Sequence, residues 1–376
     1  MPKQQPNQSH TELKPSTASG IPAVLPKTMP CPVCSYAAFH PKLRQHAFVE
    51  SKHDVDLRPE KFKWLLKDIQ PVNPLMFWVW GCPTCGFASA NTIWDKPWKG
   101  TTLGQRRFQQ VYKLLLQTDS KARRLVDELH PDCSESRTYL DAFELTIIAL
   151  FLCLQIEEFV VSETIVPARY YLRLAWFLRE AGGSKEEPIV AGELQDILGS
   201  VQEFWPDAPT SERECRQRAI DLYSKALTSS RSIETARDEV ELILLIGRLY
   251  MSLGDIKQAR AFIDRARSST RKFEQQKIVS HARGVPESSV AQMGSDLRTM
   301  ERMSEDVSTL FDDIKAEVRE AQYKLAEPLL RAHTGKSPRE LREILEANGV
   351  ELEFALEFAP DPKPQPKGFF GGLFGN

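Results

Sequence analysis

Four of the seven cysteines stand in two pairs of one form, Cys31-Pro32-Val33-Cys34 and Cys82-Pro83-Thr84-Cys85. A two-residue spacer lets both sulfurs of a pair reach one ion while backbone amides point at them. Two such turns supply four thiolates, the set that satisfies tetrahedral zinc. Cys31, Cys34, Cys82 and Cys85 are therefore the expected zinc ligands. Four thiolates fill the coordination shell and leave no place for a reacting water, so the expected site is structural rather than catalytic. Iron in a rubredoxin-like site also suits tetrahedral sulfur and is the minor alternative. A thiol–disulfide active site would need one reactive pair near a helix start and no second matched pair. Gly86 follows the second pair, where the turn often needs a positive φ. Ser35 takes that place in the first pair. His40, His46 and His53 lie nearby as spare ligands, with solvent-facing side chains as the simpler reading.

The elements that must position these sulfurs lie within residues 28–100. This segment holds five of the seven tryptophans, Trp64, Trp78, Trp80, Trp94 and Trp98. A segment of about 70 residues supports only a thin core, and metal binding supplies the missing folding energy. It is expected to be a zinc-ribbon-like domain. The run before the second pair reads as a strand, with Leu75, Phe77 and Val79 on one side and Met76, Trp78 and Trp80 on the other. Both faces are apolar, so the strand is expected to be buried against helices. The sharper reading is an exposed aromatic platform on which bases stack; no basic residues interleave to favour it.

Around this domain the chain divides by composition. Residues 1–27 are rich in Gln, Pro, Ser and Thr without periodic apolar positions, and read as a disordered tail. Residues 101–270 read as helices of tetratricopeptide type. In ILLIGRLYMSLGDIKQARAFIDRAR, residues 243–267, Gly247 is a small residue on a first helix. Gly254 closes that helix, Asp255 caps the next, and Ala259, Ile263 and Ala266 mark a packed face. A broken copy places Ala175 and Gly182 on a first helix and Ala219, Tyr223 and Ala226 on a second. The long gap between these halves is expected to hold an inserted helix and loop; an irregular helical bundle is the plainer alternative. Residues 271–335 read as one long helix with Leu297, Met300, Val307, Leu310 and Ile314 at seam-like spacing, packed back on the preceding helices rather than paired with a second copy. Residues 336–359 carry a short helix capped by Ser337 with Pro338 in first position. Residues 360–376 are a proline-rich linker ending in GFFGGLFGN. The expected fold class is mainly α: a small zinc-ribbon-like β segment, then tetratricopeptide-like helices and a long C-terminal helix.

Lys and Arg number 49 against 51 Asp and Glu, so no charge excess points to nucleic acid or an anionic membrane. The most apolar run, LTIIALFLCL at 145–154, is too short for a bilayer, which takes ~20 residues, and reads as a helix buried on all sides. The first residues lack the apolar core of a secretory signal, and Cys133, Cys153 and Cys215 are scattered singly. A reducing cytoplasm is the expected location.

The motifs CPVC, DVDLRPE and NPLMFWVWGCPTCGFASA resemble the bacterial domain-of-unknown-function 2225 family. The resemblance rests on Asn73, Pro74, Cys82, Pro83, Cys85, Gly86, Phe87 and Ala88, and on similarity of YYLRLAWFLRE and LLIGRLYMSLGDIKQA to the family's tetratricopeptide-like stretches. It covers roughly residues 28–270. It implies a bacterial cytosolic protein with a zinc-ribbon-like start and a helical-repeat body, and brings no activity. Ser35 departs from the family's usual glycine.

Three functions follow as expectations. The first is a non-enzymatic scaffold that binds protein partners through its helical body and through Phe369, Phe370, Leu373 and Phe374 of the tail. The tail could equally fold back on its own body, touch a membrane surface peripherally, or be a simple flexible end. The second is a nucleic-acid-associated regulator reading through the zinc ribbon, which would need a positive patch around Lys42, Arg44, Lys52, Arg58, Lys61 and Lys63. The third is an enzyme; the sequence has no Gly-rich phosphate loop, no H-E-x-x-H and no nucleophile elbow.

Overall fold

The structure, a computed structural model, describes residues 20–98, 100–129, 137–157, 159, 165–183, 188–229 and 233–360. Cys133 and the tail residues Phe369, Phe370, Leu373 and Phe374 lie outside the described residues. The chain forms two compact units, one through Glu234 and one from Thr235. The fold is mainly α. Among the described residues, all eight strands precede Asn91 and eleven α-helices follow. No described helix is long and apolar enough to cross a membrane.

The strands of the first unit pair two by two. β1 (Ile21–Pro22) runs parallel to β6 (Ile69–Gln70). β2 (Val24–Pro30) pairs antiparallel with β3 (Ala37–Leu43), in register from Val24 opposite Leu43 to Pro30 opposite Ala37. β4 (Phe48–His53) pairs with β5 (Pro59–Trp64), with the register shifting between Glu50 and His53. β7 (Val79–Gly81) pairs with β8 (Ala88–Ala90). Residues 20–27, expected within a disordered tail, instead form β1 and the start of β2, because each finds a partner strand later in the chain.

The expected strand over 75–80 is also corrected. Pro74–Phe77 is a 3-10 turn, and only Val79–Gly81 is extended. The Asn73 side chain accepts from the Leu75 amide at 3.1 Å, which caps the turn, and Pro74 fits its first position without an amide to satisfy.

The helices of this unit are α1 (Thr102–Thr118), α2 (Ser120–Glu128), α3 (Tyr139–Gln155), α4 (Ile165–Gly183), α5 (Pro188–Phe204) and α6 (Glu212–Thr228). Asp119 separates α1 from α2: its backbone is extended, and its side chain accepts from the amides of Lys121 and Ala122. A capping box between Thr138 and Asp141 starts α3. Leu145 through Leu152 of α3 are all buried, as a helix apolar on every side requires. It packs against β7, β8, α4 and α5. α4 and α6 pack together through fully buried Ala175, Ala219 and Ala226, and α5 occupies the expected insertion between them.

The second unit comprises α7 (Ala236–Ser252), α8 (Ile256–Ala282), α9 (Glu287–Ala332), α10 (Pro338–Ala347) and α11 (Leu352–Phe358). α7 and α8 form a hairpin. Gly254 turns it at φ +81° and the Asp255 side chain accepts from the Gln258 amide. A Cβ at Gly247 would lie 3.5 Å from the Phe262 Cβ, so the helices approach closely there. α8 runs on past residue 270 to Ala282. α9 packs on α7 and α8. Its buried seam is Leu297, Met300, Ser304, Val307 and Phe311, spaced alternately by three and four residues. Leu310 and Ile314, expected in the seam, are only half-buried, because Phe311 takes the inward position. The Ser337–Glu340 capping box with Pro338 starts α10 as expected. The Phe354 ring of α11 closes a small core with Ala326, Leu345 and Val350.

Candidate metal centre

The four cysteines meet. The β2–β3 hairpin carries Cys31 and Cys34 in its turn, and the β7–β8 hairpin carries Cys82 and Cys85 in its own. The two turns repeat one hydrogen-bond pattern. The Ser35 amide donates to Cys31 O and the Gly86 amide to Cys82 O, each at 2.9 Å. The Cys31 amide donates to Tyr36 O and the Cys82 amide to Phe87 O, each at 2.8 Å. Ser35 and Gly86 both take positive φ, +63° and +71°. The first turn therefore holds a serine in the conformation that glycine adopts most cheaply.

The four Sγ atoms all lie within 4.8 Å of one another, with Cys31–Cys85 and Cys34–Cys82 at 3.6 Å. Disulfide sulfurs stand ~2.05 Å apart, so these contacts are not bonds. A tetrahedral ion with bonds of ~2.3 Å holds its sulfurs ~3.8 Å apart, close to the observed spacing. The cluster could hold a metal ion. The Val33 amide points at Cys31 Sγ from 3.4 Å, as a turn around a thiolate requires. Without a cation the sulfurs must share protons. Hydrogen bonds from Cys31 and Cys85 hold the Cys82 thiol far below its ordinary range, and the same contacts push the other two up. A cation removes this conflict by favouring all four thiolates.

Two helices brace the centre. From α1, Gln109 Nε2 donates to Pro32 O at 2.6 Å and the Tyr112 hydroxyl to Cys85 O at 2.6 Å. One helix face thus holds both turns, since residues three apart share a face. Burial, and then the nearby sulfurs, push the Tyr112 hydroxyl well above its ordinary pKa. From α2, Val126 sits against Gly86: a Cβ there would fall 2.2 Å from Val126 Cγ1. Gly86 is thus required both for its backbone angle and for the approach of α2. Phe87, fully buried, packs against Trp94, Phe108, Tyr112 and Phe159.

The remaining candidates separate. His40 is not a surface residue: it is 1% exposed, its ring stacks on Trp80 at 4.7 Å, and the edge of Trp94 closes it. Neither ring nitrogen has a hydrogen-bond partner. Burial, and then the Arg137 charge, lower its pKa to about 4, so the ring is neutral. His46 is exposed, and His53 pairs with Glu50 at 2.8 Å. Trp80 and Trp94 are buried with their indole N–H groups donating to Pro41 O and Pro30 O, so they form core rather than a stacking platform.

Sequence reasoning missed a second polar centre. Arg179 on α4 forms ion pairs with Asp54, Asp56 and Glu212, and Glu212 also takes Arg216. Asp56 is fully buried. The signal was present in DVDLRPE as two acids two residues apart, but their cation lies more than a hundred residues on.

No curated protein and no solved structure matches the chain. One protein family does, described as "uncharacterized protein conserved in bacteria (DUF2225)", over residues 24–288. The match spans both cysteine turns and more than half of the 376 residues, and the chain belongs to the DUF2225 family.

Proposed function

We propose that Cys31, Cys34, Cys82 and Cys85 hold one structural zinc ion, and that the protein is a non-enzymatic scaffold of the bacterial cytoplasm that binds protein partners. The observation carrying the metal assignment is the meeting of four sulfurs in two turns that share one backbone hydrogen-bond pattern, both held by hydrogen bonds from α1. Four thiolates complete a tetrahedral shell, so the ion would contribute folding energy and not an open coordination position. Iron fits the same donors; a bound ferric ion would be coloured and zinc would not.

The scaffold reading rests on the helical body and the sequence of the tail. Close helix pairs of the α7–α8 kind, with small residues at the contact, are what tetratricopeptide-type repeats use to present a binding face. Phe369, Phe370, Leu373 and Phe374 follow a proline-rich tether and are suited to insertion in a partner's groove. The test is affinity capture from the native host with the intact protein and with a chain truncated after Pro360. A partner held in stoichiometric amount, lost on truncation and displaced by a GFFGGLFGN peptide supports the reading. Nucleic acid that co-elutes with both forms and leaves with salt would replace it by the zinc-ribbon reader.

A further inference from the structure

A cleft of about 560 Å³ opens where the β4–β5 hairpin meets α4, lined among others by Arg58, Phe62, Asn73, Leu75, Arg179 and Glu180. Its volume falls in the range of small-molecule sites. Its polar groups are fixed in advance. The Asp54–Arg58 turn is closed by the Asp54 amide donating to Arg58 O at 2.8 Å, and its two acids are held by Arg179. Three carboxylates saturate Arg179 itself. Arg58, carried at the end of this pinned turn, is different. No described residue forms an ion pair with its guanidinium, and its Nε is buried without an acceptor.

The opposite charge stands in the same cleft. Glu180 Oε1 accepts from Asn73 Nδ2 at 2.8 Å, and Asn73 is in turn fixed by the Leu75 amide. Oε2 lies 3.4 Å from the Tyr139 hydroxyl, whose single proton goes to Phe177 O at 2.7 Å. One Glu180 oxygen is thus left with weak satisfaction. Arg58 and Glu180 face one cleft without a direct ion pair; burial raises the pKa of the Glu180 carboxyl and the Arg58 charge opposes that rise. Phe62 and Leu75 line the wall beside them. An anion would satisfy only the arginine and a cation only the glutamate.

We propose that this cleft binds a small zwitterion with an apolar side chain, an α-amino acid or a dipeptide. Its carboxylate meets Arg58, its ammonium meets Glu180, and its side chain lies on Phe62 and Leu75. A guanidinium fork suits a carboxylate in two parallel hydrogen bonds.

The test is isothermal titration of the full chain with L-leucine and with L-leucyl-L-leucine, the two arms separating amino acid from dipeptide. N-acetyl-L-leucine lacks the ammonium and L-leucinamide lacks the carboxylate. Binding by either zwitterion, weakened about tenfold or more by each blocked form and by Arg58→Gln or Glu180→Gln, is the expected result. Arg123→Gln, on the exposed face of α2, should leave binding unchanged. The blocked ligands test the proposal on the unaltered protein, so it does not depend on the variants folding. Absence of heat from both zwitterions up to ~20 mM, or equal binding of the blocked forms, overturns it.

Discussion

The two cysteine turns offer a matched experiment, because one backbone conformation is occupied by glycine in one and by serine in the other. Gly86→Ala places a side chain at φ +71°, where a residue with a Cβ costs roughly 1–2 kcal/mol. The new Cβ also falls 2.2 Å from Val126 Cγ1, and Val126 is 2% exposed with no room to retreat. Overpacking of this kind adds roughly 1–3 kcal/mol, so the total loss is about 2–5 kcal/mol. Ser35→Gly has the opposite sign. It relieves roughly 1–2 kcal/mol of left-handed strain and costs about 0.5–1 kcal/mol of chain entropy, leaving the protein unchanged or up to ~1.5 kcal/mol more stable. Val126→Ala separates the two causes. In the Gly86→Ala background it removes the clash, so the double variant should be more stable than the sum of the singles by about 1–3 kcal/mol. Urea unfolding followed by tryptophan emission is the assay, at fixed metal concentration. All seven tryptophans precede Thr235, so the signal reports the first unit alone. If Gly86→Ala matches the unaltered protein, or Ser35→Gly is as damaging as Gly86→Ala, the paired-turn reasoning is wrong.

Other consequences follow from the same geometry. Arg179→Ala strands the fully buried Asp56 without its cation and should cost about 3–5 kcal/mol by the same assay, with Arg179→Lys restoring only part because one amine cannot serve three carboxylates. His40 is neutral in the fold with a pKa of about 4 and ordinary in the unfolded chain near 6.5, so the unfolded state takes up its proton first as pH falls. Its stabilisation is complete above pH ~6.5 and is lost towards pH 4 by up to ~1.4 kcal/mol per unit; His40→Phe should make the acid side of the stability curve measurably shallower. Gly247→Ala meets only ordinary contacts, 3.5 Å to the Phe262 Cβ, and should raise the melting temperature through a helix-propensity gain of about 0.5–1 kcal/mol, whereas Gly247→Leu should lower it.

What was legible in the sequence was what local pattern controls. The matched C-P-x-C pairs pointed to one another across 47 intervening residues, since a metal shell needs a fixed number of sulfurs whatever the loop between them. The buried run of α3, the Gly254–Asp255 turn and the Ser337 cap were also readable, because each depends on neighbours a few residues away. What was not legible depended on partners distant in the chain. One local feature was also missed: residues 75–80 read as a strand apolar on both faces, yet the adjacent Asn73 cap makes Pro74–Phe77 a 3-10 turn. His40 reads as a surface histidine until Trp80 and Trp94 enclose it. The Arg58–Glu180 cleft needed the hairpin and α4 to be placed together before its charges could be seen as neighbours.

The most direct measurement is metal content of the intact protein by plasma mass spectrometry, with the same measurement on Cys31→Ser and Cys82→Ser, whose sulfurs are the two buried ones. The account predicts one zinc per chain, lost in both variants together with the folded tryptophan signal. A folded, metal-free protein whose cysteines at 31, 34, 82 and 85 all react freely with a thiol reagent would contradict it.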